Sequence, residues 1–234
     1  MGSERKRIHT STTPSHSVQS AHSVAVDFLN LPEVARNKVY SNVLLIPHPL
    51  YIFQDNGSKL ESFAPDKPTR WLAILYTNRQ ISHEASAALY AVNCFHLVDI
   101  TQQQFVLLHD FLNCIGSAHA AVLSHLCINF PVVEGVDGQR GKAKIRDDSL
   151  ESLKLLRERC TGLSTLETLV HNKNCSLFKE DDDFIRGVLP EIDAQFRTIP
   201  SLKKIMVRIE VFDGVPSTSA RDLMQELGWV VLLA

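Results

Sequence analysis

The sequence predicts a mixed fold, α+β or α/β, in which an N-terminal helical unit precedes irregular helix–strand units that lay down a mainly parallel sheet. Three observations lead there. Apolar residues recur at helical spacing between Asp27 and Leu44 and again between Thr69 and Val92. Beyond residue 110, three stretches each read as a helix, a short break, a Leu-x-x-Leu/Ile pair and an apolar strand. The chain has 234 residues, 44% of them hydrophobic, which suffices to bury a sizeable core.

Residues 1–23 hold nine Ser or Thr, the basic run Arg5-Lys6-Arg7 and almost nothing apolar, so a disordered tail is expected there. The basic run is a weak nuclear address at most. Lys6 stands where a myristoylation signal needs Ser or Thr, and the tail lacks the amphipathic face of a mitochondrial presequence. The first helix opens in Asp27-Phe28-Leu29-Asn30-Leu31-Pro32, with Asn30 as N-cap and Pro32 in the first turn, where its missing N–H costs nothing. Val34, Val39, Tyr40, Val43 and Leu44 continue its apolar face, and Pro47 and Pro49 end it. Residues 50–54 read as a strand, and 55–68 as a polar loop with a tight turn at Asn56-Gly57. One long helix is expected over 69–92, with Ile74, Ile81, Ala85, Ala88 and Val92 as its stripe.

Residues 111–130, 152–171 and 191–210 carry the anchor pairs Leu123/Leu126, Leu163/Leu166 and Leu202/Ile205, the second anchors lying 40 and 39 residues apart. Such spacing predicts stacked right-handed units with parallel strands, in the manner of a leucine-rich repeat but less regular. Residues 222–234 form a last unit, with Gly228 as helix stop. The division expected is a tail over 1–23, a helical unit with short strands over 24–100, and a helix–strand region over 101–234 packed on it as one continuous domain.

With 24 Lys+Arg against 26 Asp+Glu the net charge is −2, so no global basic field points to nucleic acid or an anionic membrane. The five separated cysteines, several among apolar neighbours, suit reduced buried thiols, and no apolar run was expected to reach the about 20 residues of a membrane span. A soluble protein of cytoplasm or nucleus is the expectation. Adjacent His83-Glu84 lacks a second His four residues on, where Ala87 stands, which excludes a zincin site. The Gly-rich 135–143 has the wrong spacing for a phosphate loop and reads as a flexible surface loop. The acidic 179–184 reads as a helix start favoured by the macrodipole, although a hydrolase using His83 or Asp181–Asp183 stays open as a minor reading. No Gly-x-Ser-x-Gly elbow or Cys-x-x-Cys pair occurs, and neither cofactor nor metal is expected.

"FLNLPEVARNKVYSNVLL" (28–45) and "LYTNRQISHEASAALYAVNCFHL" (75–97) resemble, in order, the two opening motifs of an F-box-like family of filamentous fungi, and the likeness extends to the final "LGWVV". The matching positions are Leu31, Pro32, Arg36, Asn37, Val39, Tyr40, Arg79, Gln80, Ile81, Glu84, Ala85, Tyr90, Asn93 and Phe95; Glu33, Val34, Ala35 and Asn78 depart from the pattern. The resemblance implies an F-box-like helical unit followed by an irregular α/β region, and a non-enzymatic protein-interaction module. Its role would be the substrate-recognition subunit of a Skp–cullin–F-box ubiquitin ligase, or a scaffold without a ubiquitin link. Leu31, Pro32, Val39, Tyr40 and Leu44 would then bind the adaptor. Arg36, Asn37, Arg79, Gln80, Glu84 and Asn93 are expected to form a structural polar network rather than an active site.

Overall fold

The computed structural model describes residues 27–54, 59–99, 103–135, 143–171, 182–210 and 218–233. Among the described residues seven strands, β1 (Leu50–Phe53), β2 (Glu61–Phe63), β3 (Cys94–Leu97), β4 (His125–Asn129), β7 (Thr165–His171), β8 (Lys204–Glu210) and β9 (Val230–Leu233), form one sheet in the order β2-β1-β3-β4-β7-β8-β9, all neighbours parallel except the β1–β2 pair, and β5 (Val133–Gly135) and β6 (Ala143–Ile145) form a separate antiparallel pair. The fold is mixed α/β with a mostly parallel sheet, as the helix–strand alternation predicts.

Asp27 caps a 3-10 turn over Phe28–Asn30 by accepting from the Leu29 amide at 3.1 Å. Helix α1 (Glu33–Leu44) follows, and its cap is Pro32 rather than Asn30. The Pro32 carbonyl accepts from the Ala35 and Arg36 amides at 2.9 and 3.1 Å, while its own lack of an N–H is harmless at a helix start. Strand β1 (Leu50–Phe53) pairs with β2 (Glu61–Phe63), an exposed edge strand inside the stretch expected to be all loop. The Asn56-Gly57 turn lies outside the described residues.

The single helix expected over 69–92 is two pieces: a 3-10 segment Trp71–Tyr76 and helix α2 (Arg79–Val92). Asn78 makes the break. Its side chain accepts from the Ile81 amide at 2.9 Å, so it is the N-cap of α2 and not part of an apolar stripe. Periodicity hides this break because Ile74 and Leu75 pack on the same cluster as Tyr40, Leu44, Ala85 and Leu89.

Four helix–strand units follow β3 (Cys94–Leu97): α3 (Gln104–Val122) with β4 (His125–Asn129), α4 (Asp147–Arg159) with β7 (Thr165–His171), α5 (Asp182–Phe196) with β8 (Lys204–Glu210), and α6 (Thr218–Glu226) with β9 (Val230–Leu233). The pair β5 (Val133–Gly135) and β6 (Ala143–Ile145) brackets the Gly-rich segment, which was expected to be loop throughout; residues 136–142 lie outside the described residues. Residues 179–181 do so as well, and the helix expected after them starts at Asp182. Gly228, at φ +83°, ends α6 in a Schellman arrangement, with Trp229 N–H donating to Met224 O at 3.0 Å and Gly228 N–H to Gln225 O at 2.9 Å.

Strand register explains the Leu-x-x-Leu pattern. Leu50 pairs with Phe95, Phe95 with Leu126, Leu126 with Leu166, and Leu166 with Ile205, one buried row across five parallel strands. Each fully buried Leu of that row contributes about 1.5–3 kcal/mol of apolar transfer. The order from β1 to β9 never reverses, and α2 to α6 contact one another in sequence. They therefore cover the face that carries this row. Because side chains alternate along a strand, Cys94, His125, Cys127, Glu167, Met206, Arg208 and Val230 belong to the other face.

Helix α3 holds an 18-residue window of mean hydropathy 1.3, so by length and composition alone it could cross a membrane, contrary to the expectation that no segment would. Its Leu107, Leu108, Phe111 and Leu112 are instead buried in the core, and Gly116, at φ +79° and ψ 165°, interrupts it.

Candidate functional site

The polar residues of the two N-terminal helices meet at Glu84. Arg36 donates to it twice, from Nε at 2.8 Å and Nη2 at 2.6 Å, Tyr40 Oη donates at 2.8 Å, and Gln80 at 3.0 Å. Arg36 also donates to the Leu31 carbonyl at 2.6 Å, which fastens the Leu-Pro turn to the same carboxylate. Contact with Arg36, then with Gln80, lowers the Glu84 pKa to about 2 against the opposing effect of burial. Burial first, and Glu84 next, push the Tyr40 phenol up. Four donors on one carboxylate leave it with little capacity to accept a substrate proton.

Asn93 closes the other end of the helix pair. Its amide donates to Leu44 O at 3.0 Å and Leu89 O at 2.9 Å, and its oxygen accepts from the Ile46 amide at 3.0 Å. It thereby satisfies late carbonyls of both helices from a position 1% exposed.

Two members expected in the network stand outside it. Arg79 and Asn37 are exposed, and neither has a hydrogen-bond or ion-pair partner among the described residues. Arg79 is the first residue of α2, so its side chain leaves the helix before the α1 contact begins. Among the residues expected to bind a partner, Tyr40 and Leu44 are fully buried against α2 and are not available to one. Leu31 is half-buried, Pro32 exposed and Val39 39% exposed.

Arg79, Gln80, Ser82, His83, Ser86 and His119 line an open depression where α2 meets α3. His119 donates from Nδ1–H to the Ile115 carbonyl of its own helix at 2.8 Å, which fixes the Nδ1–H tautomer, and stacks on Tyr90 at 4.9 Å. His83 has no hydrogen-bond partner among the described residues to orient it as a base. Asp183 is exposed at the start of α5 and lines no part of the depression; Asp181 lies outside the described residues.

A second polar cluster sits on the face of the sheet opposite the helices, and sequence reasoning missed it. Glu167 on β7 is 5% exposed, accepts from Arg208 Nε on β8 at 2.7 Å, and lies 3.4 Å from Nε2 of His125 on β4. His125 chiefly, with Arg208, holds the Glu167 carboxyl down to about 2, while burial opposes them. Cys94 on β3 is paired directly with His125, and burial pushes its thiol up to about 12. Burial likewise raises the neighbouring Cys127 thiol. Donor atoms of Cys94, His125 and Glu167 all lie within 4.8 Å of one another. The signal was present in "TLETLVH": a charged residue inside an apolar strand, one place after the anchor Leu166 and hence on the opposite face.

No family model, no curated protein and no solved structure matches the chain.

Proposed function

We propose that the chain is a non-enzymatic protein-interaction module that docks through α1, with the adaptor subunit of a Skp–cullin–F-box ubiquitin ligase as its partner and substrate recognition as its role. One observation carries the reading. The outward side of α1 and its exit show four large apolar side chains, Val34 82%, Val39 39%, Val43 45% and Leu45 56% exposed, among the exposed polar residues Glu33, Asn37, Lys38 and Asn42, while Arg36 and Tyr40 turn inward to Glu84. Exposed valines on a helix that turns Arg36 and Tyr40 inward are suited to contact with another protein's apolar surface, with Glu33 and Lys38 beside them for polar contacts. The alternative is a scaffold with no ubiquitin link, favoured by β1, β2 and the 3-10 segment standing between the two helices, since β1 belongs to the parallel sheet. The cytoplasm or nucleus suits either role and the buried thiols of Cys127 and Cys160.

The test is co-purification of the full chain with the purified adaptor, using wild type, Val39→Asp and the double replacement of Leu31 and Pro32 by Ala. Capture by wild type that is lost in Val39→Asp, with the thermal melt unchanged, supports the ligase reading. A folded wild type that retains no adaptor overturns it and leaves the scaffold.

A further inference from the structure

We infer that Cys94, His125 and Glu167 form a binding site for a divalent transition-metal ion of the zinc class on the face of the sheet that the helices do not cover. The three residues come from three adjacent parallel strands, and register places them together. Cys94 pairs with His125, while Glu167 pairs with Cys127, two residues along β4 from His125 and so on the same face. Their donor atoms are a sulfur, an imidazole nitrogen and a carboxylate oxygen, all within 4.8 Å of one another. That set suits Zn²⁺ and its relatives and is unlike the all-oxygen shells of Ca²⁺ or Mg²⁺.

The spacing between two of the donors is itself informative. His125 Nε2 and Glu167 Oε2 are 3.4 Å apart. Two ligands at about 2.0–2.1 Å from one tetrahedral zinc are separated by about 3.3–3.4 Å, so this pair already has the length of a coordination edge. The atom His125 Nε2 is buried and has no hydrogen bond of acceptable geometry, despite the carboxylate nearby. A buried ring nitrogen whose nearest polar neighbour is a carboxylate oxygen at 3.4 Å, outside hydrogen-bond geometry, can share an ion with that oxygen. The Cys94 sulfur lies within 4.8 Å of both of these atoms.

Arg208 supports the arrangement. Its Nε donates to Glu167 Oε1 at 2.7 Å, which fixes the carboxylate and leaves Oε2, the oxygen on the His125 side, for the ion. Three protein ligands leave a fourth position in a tetrahedral shell for a small ligand such as water. The rival account is a metal-free polar network of Arg208, Glu167 and His125 that merely settles a buried carboxylate.

Titrating the chelator-treated full chain with Co²⁺, followed by displacement with Zn²⁺, separates the two. The expected result is one equivalent of tetrahedral Co²⁺ with a thiolate-to-cobalt charge-transfer band. Cys94→Ser abolishes that band, and Cys114→Ser and Cys175→Ser leave it intact. Loss of an outer-shell partner typically lowers metal affinity by about 10–100-fold, so His125→Gln and Glu167→Gln are expected to weaken binding at least tenfold. Histidines of the tail also take up Co²⁺ but give no thiolate band. Should Cys94→Ser fail to fold by circular dichroism, alkylation of the wild type read by mass spectrometry replaces it: Zn²⁺ is expected to protect Cys94. Absence of the band in the wild type, its survival in a folded Cys94→Ser, or equal Cys94 labelling with and without Zn²⁺ overturns the site.

Discussion

Asn93 does more for the N-terminal helix pair than its size suggests, because a single buried amide serves two carbonyls and one N–H. Replacing it by Ala leaves all three partners buried and unsatisfied, at a cost of about 3 kcal/mol. A shift of the urea midpoint with an unchanged slope is the expected readout. Glu84 gives a pH signature. Its carboxyl is held at about 2 in the folded chain, against the ordinary 4.5. A depressed folded value means stabilisation that is complete above about 4.5 and lost as the pH falls toward about 2. Melting temperatures of Glu84→Gln are therefore expected to fall less steeply than those of wild type across that window, with Glu167 and Asp148, whose carboxyls are also held down, contributing to the residual slope. Arg79→Ala, which the sequence alone marks as damaging, is expected to change stability by no more than about 0.5 kcal/mol, because the side chain is exposed.

At the scale of elements, capping decides where helices begin when periodicity does not. Asn78 is the only signal separating the 3-10 segment from α2, since apolar residues on both sides of it face one cluster. Asn78→Ala is expected to destabilise the chain by about 1 kcal/mol, and Asn78→Gly by only a few tenths, in thermal melts. The same logic accounts for α1. Pro32 can occupy the cap itself, so Asn30 is released to the preceding 3-10 turn. Strand β2 escaped notice for a different reason: its three residues are all exposed, and a three-residue edge strand without an inward face leaves no alternating pattern to read.

Across the whole molecule, the row from Leu50 through Phe95, Leu126 and Leu166 to Ile205 holds the sheet against its single layer of helices. Leu166 is its centre and fully buried. Leu166→Ala is expected to cost about 2–5 kcal/mol and to lower the denaturation midpoint of the entire sheet, not of one edge. The alternation of helices and strands beyond residue 110, the mainly parallel sheet and the anchors Leu126, Leu166 and Ile205 were legible along the chain, because helical and strand periods and a near-constant spacing of leucines are properties of neighbours in sequence; β2, β5, β6 and the break at Asn78 were not. The sequence also determined that Arg36, Glu84 and Asn93 would be engaged with one another's helices. Packing between distant segments sets which side of α1 faces outward, buries Tyr40 and Leu44 while leaving Val39 and Val43 exposed, and brings Cys94, His125, Glu167 and Arg208 to one face. Those residues are separated by 31, 42 and 41 positions. Their meeting depends on the register of four different strands, a quantity set by packing between segments and carried by none of them alone.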